Sequence, residues 1–277
     1  METIGHLLGL QPAPAEILII DQSREHEAET NDRLSALQNE GRIRWIRLPA
    51  PSIPHAMNAG LSAAAHDIVL FLDDDIVPDQ DLVAAHARAQ REGCAIVAGQ
   101  VLQPGEGPLP HGEQSPRFRF CSSERRFVSE LMGGNFSIQR RLALELGGFD
   151  ENFVEVAYRF EAEFSERALG AGNRILFEPA ASIRHLKAAE GGTRSYGNYL
   201  KSIRPGHSVG EYYYLLRSRN TSKRLMKMLK RPLRAVATKH HLRQPWWIPV
   251  TLIAEALGFG WAVLLYFRGP RLISEQK

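Results

Sequence analysis

The chain has 277 residues, 44% apolar and 23% charged, enough to bury one large core or two modest ones, which excludes disorder as its main state. Two cysteines, Cys94 and Cys121, are too few for a disulfide framework or a Cys-rich zinc site, and the first residues lack the charged-then-apolar pattern of a secretory signal. A reducing, cytoplasmic setting is expected, with both thiols as ordinary core residues. The net charge of +3 conceals a division: residues 1–216 hold 21 Lys and Arg against 29 Asp and Glu, a formal −8, whereas residues 217–277 hold 13 against 2, a formal +11. An acidic body carries a basic tail.

Residues 1–10 read as the back half of a helix. Residues 16–21, with four consecutive aliphatics, read as a strand buried on both faces and ending at Asp21-Gln22-Ser23. A polar helix over 25–39 stops at Gly41, and residues 43–48 alternate like a shorter strand. Strand, helix, strand is the unit of a parallel sheet. After the prolines at 49, 51 and 54 come an Ala-rich helix over 55–65 and the clearest strand of the chain, 67–72, which runs into Asp73-Asp74-Asp75. A helix over 81–91 and a strand near 95–98 follow. Glycines and prolines between 105 and 116 mark a long loop. Beyond it lie Gly133-Gly134-Asn135, a helix ending in Gly147-Gly148-Phe149-Asp150, a second helix over 158–171, and a strand at 174–177 leading to His185.

Three aspartates at the C-terminal end of an apolar strand repel one another, and a divalent cation removes that cost. Asp73 and Asp75 project to one side of an extended chain and can address one hard cation while Asp74 points away. In an open α/β sheet the ligand crevice lies beyond the carboxyl ends of the strands, where Asp21 and residues 73–75 both fall. On the 158–171 helix, Phe160, Phe164 and Ala168 mark the buried stripe. Glu161 sits at its edge, placed for a partly desolvated general base. Glu163 faces away, four residues from both Arg159 and Arg167, as a helix ion pair. His185 is a possible further metal ligand. His55, His86 and His111 are expected to be surface residues.

In the tail, residues 217–243 carry ten Lys and Arg and no acid, with Leu225, Met228, Leu229 and Leu233 roughly on one helical face. Residues 246–267 hold one charge, Glu255, with Trp246, Trp247 and Tyr266 at the edges. Basic residues alone would suit nucleic acid, but beside such an apolar run they point to an anionic membrane surface and not to nucleic acid. A helix or hairpin in the interface, a single span near 246–267, and a soluble packing element are the three readings. The first places the chain peripherally on the inner face of the cell membrane.

Residues 16–23, Asn58-Ala-Gly60, 67–75 with Pro78, Gly133-Gly134-Asn135, residues 147–151, residues 160–167 with Gly172, and Pro179 through His185 resemble, in order and spacing, the family 2 glycosyltransferases of GT-A fold. The resemblance covers about residues 7–187. It implies an α/β domain over 1–205 with a mostly parallel sheet flanked by helices, followed by the basic, apolar helical extension over 206–277. It implies inverting transfer of a sugar from a nucleoside diphosphate donor of UDP or dTDP type to a hydroxyl of a polysaccharide or lipid-linked acceptor, with Mg2+ or Mn2+ on the diphosphate. By position, Asp21, Ser23, Asn58, Asp73 and Asp74 would serve the donor nucleotide, Asp75 and His185 the metal, and Glu161 the base. Gly133, Gly134, Asn135 and Glu163 would line the acceptor or donor-sugar side. Phe160 stands where the family usually has the Glu of a Glu-Asp pair. Family members also open with a strand and a Pro-Thr-Tyr-Asn-Arg-like turn; this chain opens inside the next helix, so a strand is expected to be missing between residues 17–20 and 68–72 through a truncated start, the alternative being that these two strands pair directly in a rebuilt sheet. The alternative is a GT-A domain with an impaired donor site, acting as a membrane-bound binding or scaffold subunit.

Overall fold

A computed structural model describes residues 1–110, 112, 118–187, 199–218 and 221–273; His111 lies outside them. The chain opens with α1 (Glu2–Leu8), β1 (Leu18–Asp21), α2 (Ala28–Asn39), β2 (Arg44–Arg47) and α3 (Ile53–Ala63). β1 and β2 pair in parallel, Leu18 opposite Arg44 and Asp21 opposite Arg47, as strand, helix, strand predicts. Ile4, Leu34 and Ile43 form the apolar cluster that joins α1 and α2 to this pair. β1 is half-buried along most of its length, not covered on both faces.

The larger sheet has the order β3 (Ile68–Leu72), β7 (Asn135–Gln139), β5 (Ile96–Leu102), β8 (Ile175–His185), β4 (Ile76–Pro78), with β6 (Arg126–Val128) also on β8. Strands β3, β5 and β8 run one way, while β7, β4 and β6 run against them. The sheet is therefore mixed, and the strand that mixes it, β7, sits between β3 and β5. β3 ends the row, with Ile68 39% exposed, so the most apolar strand of the chain is an edge strand. β1 and β3 belong to separate sheets and do not pair with each other.

After Asp75 the chain turns into β4, whose register places Ile76 opposite His185. The helices α4 (Leu82–Arg91), α5 (Arg140–Glu145) and α6 (Phe160–Gly170) complete the first part. Phe71 stacks on Phe136 at 4.8 Å between centroids, and Phe149 packs on Phe164 at 4.6 Å, giving the core an aromatic centre beneath β3, β7 and α6.

α7 (Gly206–Arg217), α8 (Thr221–Val236), α9 (Lys239–Arg243) and α10 (Ile248–Arg268) follow. Val209 and Tyr213 of α7 and Ala262 and Leu265 of α10 share one cluster with Phe136 and Phe164. α10 lies along α7 on small residues. A Cβ at Gly258 would stand 2.1 Å from Ser208 Oγ, whose hydroxyl donates to Ala254 O at 2.9 Å. The lone charge of the apolar run, Glu255, meets Arg231 of α8 at 3.1 Å. The chain then folds back onto the 147–152 turn, where Arg271 N donates to Asp150 Oδ1 and Ile273 N to Gly147 O.

Candidate active site

The C-terminal end of β3 delivers Asp73 and Asp75 to one side, and the β4–β8 register brings His185 to them. His185 Nε2 lies 3.0 Å from Asp75 Oδ1 and 3.4 Å from Asp73 Oδ2. One ligand atom from each of the three lies within 4.8 Å of the others, a donor set of two carboxylates and an imidazole that fits a divalent cation such as Mn2+ and leaves coordination positions for a ligand. His185 Nδ1 is buried and, among the described residues, has no partner. Asp74 is exposed, and its carbonyl accepts from Thr3 Oγ1 at 2.6 Å, which ties α1 to the turn. Desolvation raises the pKa of Asp73, with Asp75 and Asp74 adding to the effect and His185 opposing it.

Gly133 and Gly134 form the other wall. Asp73 N donates to Gly134 O at 3.2 Å, and a Cβ on Gly134 would stand 2.3 Å from Asp73 Oδ2. A Cβ on Gly133 would stand 3.2 Å from Glu161 Oε1. The two glycines thus fill the space between the carboxylate cluster and Glu161 with backbone alone. Burial raises the Glu161 pKa to about 7; hydrogen bonds from its own backbone N–H and that of Gly133 oppose this, Asp73 adds to it, and Arg159 opposes it. A carboxylate tuned there can take a proton near neutral pH. Glu161 stands in the first turn of α6, entered through Glu155, Ala157 and Arg159, all with positive φ (54°, 50° and 75°). These are strained conformations for side-chain-bearing residues, and such strain is stored where a group must be aimed.

Asp21 lies buried at the end of β1 and heads a second cluster. Its Oδ2 is 2.6 Å from His26 Nε2 and accepts from Trp45 Nε1 at 2.9 Å, while Oδ1 accepts from Ser23 N at 2.9 Å. Burial alone would raise its pKa, but the bonds from His26, Ser23 and Trp45 outweigh it and the pKa is lowered. Arg47 stacks over the Trp45 ring at 5.6 Å. The sequence reading missed His26, Trp45 and Arg47, which the β1–β2 register, with Arg47 opposite Asp21, brings to this cluster.

Three expected site residues make their polar contacts within the fold. Asn58 donates from Nδ2 to the Phe149 carbonyl and accepts at Oδ1 from the Phe149 N–H, at 2.8 Å each, which clamps α3 to the 147–151 turn. Asn135 is fully buried, donating to Gln100 O and Ala181 O and bonding His86 Nε2 at 3.0 Å, which braces β7 to β5 and β8. Glu163 is buried and holds Arg167 through two bonds of 2.8 and 3.0 Å, while Arg159 turns to Glu211 of α7. It is the expected ion pair, but buried inside the fold instead of on an outward face. His86, expected at the surface, is buried between Asn135 and Ser137, and burial lowers its pKa to about 4. His55 is partly exposed and pairs with Glu151 at 3.0 Å.

Residues 2–150, which include Asp21, the aspartate turn and the glycine pair, match the family model described as glycosyl transferase family 2. The chain belongs to that family. No curated protein matches it. Among solved structures it is similar to S. aureus TarS 1-349, at 14% identity and TM-score 0.54, over 97% of this chain and 87% of that one; the complex of TarS 1-349 with UDP matches at 15% and 0.54 over the same shares. GalNAc-T7, crystallised with UDP, GalNAc and Mn2+, matches at 18% and 0.55 over 78% of this chain, which spans about half (47%) of that protein's length. The fold is GT-A. This glycosyltransferase keeps Glu161 and His185 beyond the stretch that the family model covers.

Proposed function

We propose that the chain transfers a sugar, with inversion, from a nucleoside diphosphate donor of UDP or dTDP type to a hydroxyl of a saccharide or lipid-linked acceptor. The observation that carries this reading is the pairing across Gly133 and Gly134 of a three-ligand cation cluster on one side with a carboxyl group of pKa about 7 on the other. Inversion needs those two poles: a base at the attacking hydroxyl and positive charge at the departing diphosphate. Asp73, Asp75 and His185 would hold Mg2+ or Mn2+, whose charge, when bound, neutralises the leaving group. Glu161 accepts the acceptor's proton, and the bare backbone of the glycines admits the sugar ring. The UDP and Mn2+ named with the neighbours support the donor class.

The impaired-donor-site alternative has one observation in its favour, since Asp21 sits on a two-stranded sheet separate from the one that carries Asp73. Titrating the protein with UDP in the presence and absence of Mn2+ tests the proposal. Mn2+-dependent binding together with sugar release from a UDP-sugar supports transfer; absence of nucleotide binding supports the binding or scaffold role.

The membrane reading goes with the proposal. Leu225, Met226, Leu229 and Leu233 of α8 and Leu252, Leu257, Leu264 and Phe267 of α10 are exposed, Phe267 at 80%. α10 is long and apolar enough to cross a bilayer, yet one face is seated along α7 and its end is tied to residues 147–152. Crossing would draw the catalytic core into lipid, so an in-plane position on the inner leaflet fits better.

A further inference from the structure

Between α7, α8 and α10 lies a cavity of about 320 Å³ that the transfer chemistry above does not use. Arg204, Arg231 and Arg234 line it together with His207, Tyr158 and Glu255. Arg231 is neutralised by Glu255 at 3.1 and 3.3 Å. Arg204 and Arg234, both exposed at the cavity's rim, have no acidic partner among the described residues, so two guanidinium groups there are free of a carboxylate. Burial and the nearby Arg231 lower the pKa of His207. Ser208, Thr238 and Thr251 contribute to the wall, but their hydroxyls are held by Ala254 O and by His241. The demand of this site is thus an anion that offers several acceptor oxygens to two forked donors.

The place of the cavity narrows the ligand. Arg231 of α8 is partly buried and Arg234 lines the cavity from its exposed rim, while Leu229 and Leu233 are 65% and 69% exposed. Tyr158 lines the cavity and precedes Glu161 by three residues, a span of at most about 11 Å along the chain. The geometry points to a phosphate-binding site in which Arg204 and Arg234 grip the phosphate of an amphiphile, either the phosphate that links an acceptor to its lipid or the head group of an anionic lipid. This deepens the proposed function and rests on it for the acceptor's identity, not for the binding itself.

The test is calorimetric titration of the full chain with dihexanoyl phosphatidate, with inorganic phosphate, and with dihexanoyl phosphatidylcholine as the uncharged-net control. Phosphatidate is expected to bind and the phosphatidylcholine not to. Arg204→Gln with Arg234→Gln should weaken phosphatidate at least about tenfold, because two charge-assisted bonds are lost. Lys227→Gln with Lys230→Gln removes the same charge from α8 outside the cavity and should weaken it by less than about threefold. Competition by inorganic phosphate at similar affinity assigns the site to the phosphate group itself; binding of phosphatidate alone assigns it to a phosphate carried on an amphiphile. Equal losses in the two double variants, or no binding of either phosphate compound, overturns the site. Mn2+-dependent UDP binding is measured in parallel on each protein. Its loss in the unaltered chain would count against the transfer reading and not against the cavity.

Discussion

Gly134→Ala gives the sharpest test of the site, because the three atoms nearest the added methyl group all belong to Asp73, a metal-ligand candidate. The new Cβ would lie 2.3 Å from Asp73 Oδ2 and 2.7 Å from its Cγ, whereas ordinary contact begins near 3.4 Å, so the carboxylate must move by about 1 Å. Gly134 does not have positive φ, so alanine is tolerated by the backbone and the effect is steric alone. The Asp73 backbone stays pinned through its N–H to Gly134 O, which leaves rotation of the side chain as the way out. That side chain is 50% exposed, so rotation into water should cost about 1 kcal/mol or less of stability. The displaced carboxylate no longer shares a centre with Asp75 and His185. A misplacement of about 1 Å at a reacting centre lowers rate by about 100-fold, equivalent to about 2.7 kcal/mol. The assay is kcat/KM with a UDP-sugar at saturating Mn2+, with Mn2+-dependent UDP affinity and thermal unfolding measured on the same preparation. Gly133→Ala is the control, since its Cβ would approach Phe160 Cζ at 3.1 Å and Glu161 Oε1 at 3.2 Å, contacts that yield with shifts of a few tenths of an ångström. Wild-type Mn2+ and UDP affinity in Gly134→Ala would refute the assignment of Asp73 to the cation, and a larger loss in Gly133→Ala than in Gly134→Ala would reverse the roles of the two walls.

Glu161→Gln should keep donor binding and slow transfer by about 100-fold to 10,000-fold, because the amide holds the shape but accepts no proton. The proposed base must be ionised to act, and burial raises the pKa of Glu161 to about 7, so the rate should fall as pH drops below 7; a rate flat from pH 8 to 5 would move the base elsewhere. Asn135→Ala strips partners from Gln100 O, Ala181 O and His86 and should destabilise by about 3 kcal/mol, lowering Tm by about 6 to 12 °C in a thermal melt. Leu229→Asp with Leu233→Asp should release the protein from anionic vesicles in a flotation assay, whereas 0.5 M salt alone should not, since apolar insertion is not screened. Release of the intact protein by salt would show that charge alone carries the attachment.

The alternation of strands and helices over the first hundred residues was legible because each element has its own apolar period and its own stop signal. So were Asp73, Asp75, Glu161 and His185, whose neighbours in sequence mark them as polar groups on apolar elements. β7 was not legible: Asn-Phe-Ser-Ile-Gln is five residues long, follows two glycines, and takes its strand character from lying between β3 and β5. The edge position of β3 escaped for a related reason, since pairing is set by which segments are present beside a strand and not by its own hydrophobicity. Asn58 and Asn135 looked like ligand-binding amides because buried structural amides and functional ones share a composition; only their partners, Phe149 in one case and Gln100 and Ala181 in the other, tell them apart. Glu255, the lone charge of the apolar run, is neutralised by Arg231, a partner 24 residues away that no periodicity reveals.

The position of α7 explains why the tail cannot be treated as an attachment added to a finished enzyme. On one side α7 receives α10, through Ser208 against Gly258 and Tyr212 against Phe259. On the other it braces the strained entry to α6: Glu211 holds Arg159 at 2.7 Å, and Gly210 approaches Tyr158 so closely that a Cβ there would stand 2.3 Å from the Tyr158 carbonyl. Three positive-φ residues before Glu161 persist only where surrounding contacts over-determine them, and those contacts come from a helix whose outer face is covered by α10. Removing residues 244–277 would therefore uncover Val209, Tyr212 and Tyr213 and loosen the support of the base, as well as any hold on a membrane. Attachment and catalysis are best separated by substitutions on the exposed faces of α8 and α10, which leave the α7 seat intact.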